Sequence, residues 1–209
     1  ALGSPERVIE AVHAYGGKVI ADVNNINFAR RCSDMDVDGM ALICHGAGGH
    51  TGHLSPFSFT AYVREFFNGL IVLAGSISTG QHIKAAKLLG ADLCYMGTRF
   101  ISAEESNAVD EYKSMIINST YDDLRMTNLF TGADAYYLKD SIINNKLDPD
   151  NLDSNTSGFN VSASQDKIKA WKDIWSAGQG VGLIKNIESV ESIVDKLESE
   201  FVQGAGHGN

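Results

Sequence analysis

No apolar run in this sequence approaches the roughly 18–20 residues that a membrane-spanning helix needs. Cysteine is scarce: Cys32, Cys44 and Cys94 are odd in number, widely spaced and form no CxxC pair. That pattern indicates neither a disulfide framework nor a zinc ribbon. Cys44 and Cys94 lie in apolar segments, where a free thiol acts as a small hydrophobe. Basic residues are outnumbered, 17 Lys and Arg against 26 Asp and Glu, for a formal net charge of -9. That is the wrong sign for a nucleic-acid binder or for docking on anionic membrane. The opening residues show no basic stretch followed by an apolar core, so a reducing cytoplasm is the expected compartment. What remains is an ordinary globular composition, 44% hydrophobic and 21% charged over 209 residues.

The apolar pattern alternates between two periods. Helices are expected over residues 5–15, 26–33, 57–67, 79–90 and 106–119, and strands over 18–23, 39–45, 70–74 and 93–96. Ser4 and Pro5 suit the cap and first position of the first helix, whose Val8, Ile9, Val12 and Tyr15 share a face. Thr79 suits the cap of the fourth. Each strand is a near-continuous apolar run, the mark of a parallel sheet buried on both faces. Beyond Thr120 the pattern is mixed. A helix is expected near 134–145, a polar loop over 153–164, a helix over 165–175, and a last amphipathic helix carrying Val190, Ile193, Val194, Leu197 and Phe201. Trp171 and Trp175, at i and i+4, read as core.

Three strand ends carry glycine. Met40-Ala41-Leu42-Ile43-Cys44 runs into Ala47-Gly48-Gly49-His50-Thr51-Gly52, and the others are Leu73-Ala74-Gly75-Ser76 and Tyr95-Met96-Gly97-Thr98. A glycine-rich loop after a strand exposes backbone N–H groups and admits a ligand closely. In (β/α)₈ barrels the active site lies at such ends, with phosphate held after the last strands. Gly75, Ser76, Gly97 and Thr98 suit that role, although Gly75 and Gly97 also suit plain tight turns. His50, between Gly49 and Gly52, is either a structural loop histidine or a base able to remove a proton from carbon. His45, His50 and His53 match neither HExxH nor a zinc-finger pair, and the loop supplies no carboxylate. The stretch Gly178-Gln179-Gly180-Val181-Gly182 reads as a turn or a ligand contact.

On Ala47-Gly48-Gly49-His50-Thr51-Gly52, Leu73-Ala74-Gly75-Ser76-Ile77 and Met96-Gly97-Thr98-Arg99-Phe100, in that order and spacing, the chain resembles the nitronate monooxygenase family, formerly the 2-nitropropane dioxygenases. Glu105-Ser106, Tyr112-Lys113 and Ala177-Gly178-Gln179-Gly180 add to a resemblance that covers nearly the whole chain. It implies an FMN-dependent TIM (β/α)₈ barrel acting on a small-molecule substrate with O₂. It implies that His50 takes the α-proton of a nitroalkane or orients the nitronate, and that the backbone of Gly48 and Gly49 lies near the flavin. Gly75, Ser76, Met96, Gly97 and Thr98 would hold the ribityl phosphate. Gly46 stands where many relatives carry an acidic residue, and Ile43 where many carry a glutamine.

Aligned this way, the four strands are the last four of eight. Residues 1–120 would be the C-terminal half of the barrel, 121–203 a helical and loop extension, and 204–209 a disordered tail. The opening Ala1-Leu2-Gly3 reads as a strand end, so the expectation is a piece of a longer chain, or self-association through the open sheet edges. Two other readings stand beside the leading one. One is an FMN- and NAD(P)H-dependent enoyl-acyl-carrier-protein reductase, which shares a GGH loop. The other is a catalytically incomplete barrel fragment that acts only through association.

Overall fold

The computed structural model describes residues 5–152 and 170–203. The expected Ser4 cap, the 153–164 loop, residues 165–169 of the expected helix and the 204–209 tail lie outside the described residues. In chain order the first elements are α1 (Glu6–His13), β1 (Ile20–Val23), α2 (Ile26–Asp34), β2 (Gly39–Ile43), β3 (Gly49–His50), α3 (Pro56–Arg64) and β4 (Leu70–Ala74). They continue with α4 (Gly80–Leu88), β5 (Leu93–Tyr95), α5 (Thr98–Ile101), α6 (Asp110–Asn118), β6 (Leu124–Thr127), β7 (Ala135–Leu138), α7 (Lys139–Asn144) and α8 (Val190–Gln203). The chain divides into two compact units. One holds Ala1–His45, Gly52–Met96 and Val194–Asn209; the other holds Gly46–Thr51 and Gly97–Ile193.

The first unit is α/β. Its sheet has the order β1-β2-β4-β5 with every pair parallel, for example Met40 beside Ile71 and Leu73 beside Cys94. Burial on both faces explains the apolar runs: Met40, Ala41 and Leu42 in β2 and Ile71, Val72 and Leu73 in β4 are all buried. Phe59 and Val63 of α3 and Ala29 and Cys32 of α2 complete that core. Local signals set the helix starts. Asn25 accepts from Phe28 N at 2.9 Å, and Thr79 accepts from His82 N at 3.2 Å, each satisfying an N–H that the helix leaves unpaired. Gly80 N, in the first turn of α4, donates to Glu200 Oε2 of α8 at 2.7 Å.

The second unit is built on a three-stranded antiparallel sheet, β3-β7-β6. β6 and β7 form a hairpin with Leu124 opposite Leu138 and Thr127 opposite Ala135. β3 adds Gly49 opposite Tyr136 and His50 opposite Ala135. Leu138, Ala177, Val181 and Ile184 are buried on one cluster; Tyr137, Ile142 and Ile174 are buried on another.

Several expectations are corrected. The helix expected over 134–145 opens as the strand Ala135–Leu138, because β3 and β6 supply partners that a local pattern does not reveal. Residues 170–175 form turns, with Ala170 bridged to Ile174, rather than helix. Trp171 is 43% exposed rather than core. β5 is an edge strand with Leu93 and Tyr95 exposed, so it is not buried on both faces. On α1, Ile9 is buried while Val8 is exposed, and Tyr15, expected on the same face, lies beyond the end of the helix and is exposed.

Candidate functional site

In the second unit, Gly48, Gly49 and His50 line a cavity of about 340 Å³ together with Gly97, Thr98, Ile101, Trp171 and Ser176. That volume lies within the range of small-molecule sites, about 300–1,000 Å³. Among the described residues, the lining carries one titratable side chain, His50, and no carboxylate.

The loop is laced by backbone and hydroxyl groups. Gly178 N donates to Thr98 Oγ1 at 2.9 Å, and Gln179 N donates to the Gly46 carbonyl at 3.0 Å. A Cβ on Gly48 would stand 2.7 Å from Thr98 Oγ1 and 2.8 Å from Gly178 N, so the close approach of these segments requires glycine. Gly49 has φ +79°, the left-handed region. It turns the chain into β3, where pairing with β7 fixes the position of His50. The stretch Gly178-Gln179 is therefore a lacing segment of the cavity wall.

His50 is half-buried. Its Nε2 lies 2.9 Å from Thr131 Oγ1, and its ring meets Trp171 edge-on at 5.4 Å with an interplanar angle of 83°. Trp171 also stacks on Tyr137 at 5.4 Å. Tyr137 is fully buried, and burial pushes its hydroxyl pKa up. Thr131, Tyr137 and Trp171 were not singled out by sequence as site residues, since no spacing rule links them to His50. Arg99, in the Met96-Gly97-Thr98-Arg99-Phe100 motif, is buried and ion-paired with Glu188. Its role is to hold the wall that carries Thr98.

Gly97 has no neighbouring atom within 4 Å of an added Cβ, so its backbone is open to a ligand. Thr98 Oγ1 already accepts a bond, which leaves its proton free to donate to an anion. Gly75, Ser76 and Met96 belong to the first unit. Gly75 has φ +120° and Ser76 has φ +57°. A Cβ on Gly75 would meet the His45 carbonyl at 3.0 Å. A serine held in the left-handed region after a strand stores strain, a feature that clusters at functional turns. Met96 follows β5, half-buried, and is not among the described residues lining the cavity.

His45 and His53 also belong to the first unit. Among the described residues no group of three or more His, Cys, Asp or Glu side chains converges. No helix among them is long and apolar enough to cross a membrane. Burial alone pushes the Cys44 thiol up to about 12, which leaves it without nucleophilic character near neutral pH.

A family model described as nitronate monooxygenase matches residues 1–200. A probable nitronate monooxygenase of Staphylococcus saprophyticus is 28% identical over 215 residues, which cover 92% of this chain and 60% of that protein. A putative monooxygenase of Mycobacterium tuberculosis is 27% identical over 221 residues, covering 99% and 59%. The chain thus spans about three fifths of the length of these curated relatives. Among solved structures, FabK from Thermotoga maritima has a TM-score of 0.75 at 26% identity, covering 96% of this chain and 66% of that one. Nitroalkane oxidase from Streptomyces ansochromogenes has a TM-score of 0.74 at 24% identity, covering 95% and 61%, a likeness of fold. With the motifs in order and the family model spanning nearly all of it, the chain belongs to the nitronate monooxygenase family.

Proposed function

We propose that this chain carries the C-terminal part of an FMN-dependent (β/α)₈ barrel that oxidises alkyl nitronates or nitroalkanes with O₂. In this reading β1, β2, β4 and β5 are the last four of eight barrel strands, residues 1–120 are the barrel half and 121–203 an extension. The observation that carries it is the convergence of Gly48, Gly49 and His50 with Gly97 and Thr98 on one cavity. The donor set fits a flavin phosphate: an open backbone at Gly97, a free hydroxyl proton at Thr98 and, among the described residues, no carboxylate in the lining to repel the anion. Gly75 and Ser76 carry a left-handed turn at the end of β4 in the first unit, which supports their proposed part in holding phosphate. When bound, the flavin supplies the electron acceptance that oxidises the nitronate.

His50 is the proton acceptor. Its ring lines the cavity, and its own partner is a neutral hydroxyl, so nothing there neutralises the base. A nitroalkane α-carbon loses its proton to the imidazole, or a preformed nitronate, which has no such proton to lose, is only oriented by the ring. Trp171 and Ile101 give the cavity an apolar wall that suits an alkyl group. The Gly48-Gly49-His50 geometry also suits the reductase reading, an FMN- and NAD(P)H-dependent enoyl-acyl-carrier-protein reductase.

The first test is the visible absorption spectrum of the purified chain with and without added FMN, alone and with the remainder of the natural chain restored. Flavin binding in either form supports the reading. A colourless protein in both forms refutes it. His50→Asn should then lower kcat/KM for a nitroalkane by about 10²–10⁴-fold, the usual worth of a positioned base, while FMN remains bound. Rapid anaerobic flavin reduction by NAD(P)H would favour the reductase instead.

A further inference from the structure

The β6–β7 hairpin brings Thr131 back to His50. Thr131 Oγ1 stands 2.9 Å from His50 Nε2 and donates its hydroxyl proton to the Ala133 carbonyl at 3.1 Å. A threonine hydroxyl has one proton and two lone pairs. A carbonyl can only accept, so the bond to Ala133 uses the Thr131 proton. The oxygen that faces His50 then presents a lone pair, and only a protonated Nε2 can bond to it.

Tyr137 supplies an independent constraint. Its hydroxyl is fully buried, lies against Thr131, and completes no hydrogen bond of good geometry among the described residues. Burial keeps that hydroxyl protonated, so it is a donor in need of an acceptor. The remaining Thr131 lone pair is the acceptor at hand. The opposite assignment, with Thr131 donating to Nε2, forfeits the bond to Ala133. The edge of Trp171 against the imidazole, at 83°, holds the ring plane while these bonds select its protonation.

We infer that Thr131 is a positioning residue that holds neutral His50 as its Nε2–H tautomer, so that Nδ1 is the nitrogen that takes the substrate proton. The inference rests on the reading of His50 as the base. Nδ1 makes no hydrogen bond among the described residues, which leaves its lone pair available. The arrangement resembles in logic the orienting partner of any catalytic histidine: the bond made by one nitrogen decides what the other can do.

The test is NMR of the full chain labelled with ¹⁵N in its histidine rings, at a pH where imidazole is neutral. The His50 signals are identified by their loss in His50→Asn. The expected result is a single Nε2–H pattern for wild type. In Thr131→Val the single pattern gives way to a mixture containing Nδ1–H, and Thr131→Ser restores it. Should Thr131→Val not fold, Thr131→Ala makes the same comparison. An Nδ1–H pattern in wild type overturns the inference, and so does an unchanged pattern when the hydroxyl is removed. Because no flavin is needed, failure of FMN binding would refute the functional reading without deciding the tautomer.

Discussion

Gly80→Ala tests how closely α4 and α8 pack in the first unit. On propensity alone the change should help, because alanine is worth about 1 kcal/mol over glycine inside a helix. The structure reverses the sign. An added Cβ would stand 2.2 Å from the Leu197 carbonyl oxygen, 2.4 Å from Phe201 N and 2.6 Å from Glu200 Cβ. The two nearest atoms are backbone of α8, so no side-chain rotation relieves the overlap. Overpacking of this kind costs about 1–3 kcal/mol. Moving α8 also stretches the 2.7 Å bond from Gly80 N to the Glu200 carboxylate, and a hydrogen bond to a charged group is worth roughly 1.5–3 kcal/mol. With about 2 kcal/mol from overpacking and about 1 from a bond that is stretched rather than broken, against the propensity gain of about 1, the net loss is about 2 kcal/mol. Urea unfolding followed by far-UV circular dichroism reads it as a midpoint lowered by about 1 M at a typical slope. An unchanged or raised midpoint would refute the packing argument and leave propensity in command.

Three further outcomes are expected. Gly97→Ala, with open space around its Cβ, should leave the unfolding free energy from urea titration within about 0.5 kcal/mol of wild type yet weaken FMN binding; unaltered FMN affinity would remove Gly97 from the phosphate site. The Val19 N–H first, and then His13, lower the Asp38 carboxyl from its ordinary 3.8 to about 2. Its stabilising contribution is therefore complete above pH 3.8 and is lost as pH falls towards 2. Asp38→Asn should flatten the acid limb of stability against pH in that window, and a limb of unchanged steepness would count against the pairing. Cys44, raised to about 12 by burial, should resist iodoacetamide at pH 8 in the folded chain and react after unfolding; prompt labelling of Cys44, mapped by mass spectrometry, would contradict its burial.

The parallel sheet was legible because its central strands β2 and β4 are buried on both faces, so Met40 to Ile43 and Leu70 to Ala74 are apolar without interruption. The start of α4 was legible because the Thr79 cap is a local bond within four residues. The second unit was less so. Ala135 to Leu138 sits in a context that reads as helix, and its strand form depends on Gly49-His50 and on Leu124 to Thr127 lying alongside. Trp171 and Trp175 match a helical spacing. Instead Trp171, at φ +72°, turns its ring to His50 and Tyr137, while Trp175 stacks on Tyr112 at 4.9 Å.

By itself the amino-acid sequence determined the βα alternation of the first unit, the glycine-bearing strand ends and the presence of a histidine among them. These follow from burial periodicity and turn chemistry, which act over a few residues. The tertiary structure alone decided which of those ends share a cavity, and which neighbours His50 keeps. Thr131 lies 81 residues from His50 along the chain, and no local pattern marks it. Its place is set by antiparallel pairing of β3 with β7, a long-range bond pattern that exists only once the chain has folded.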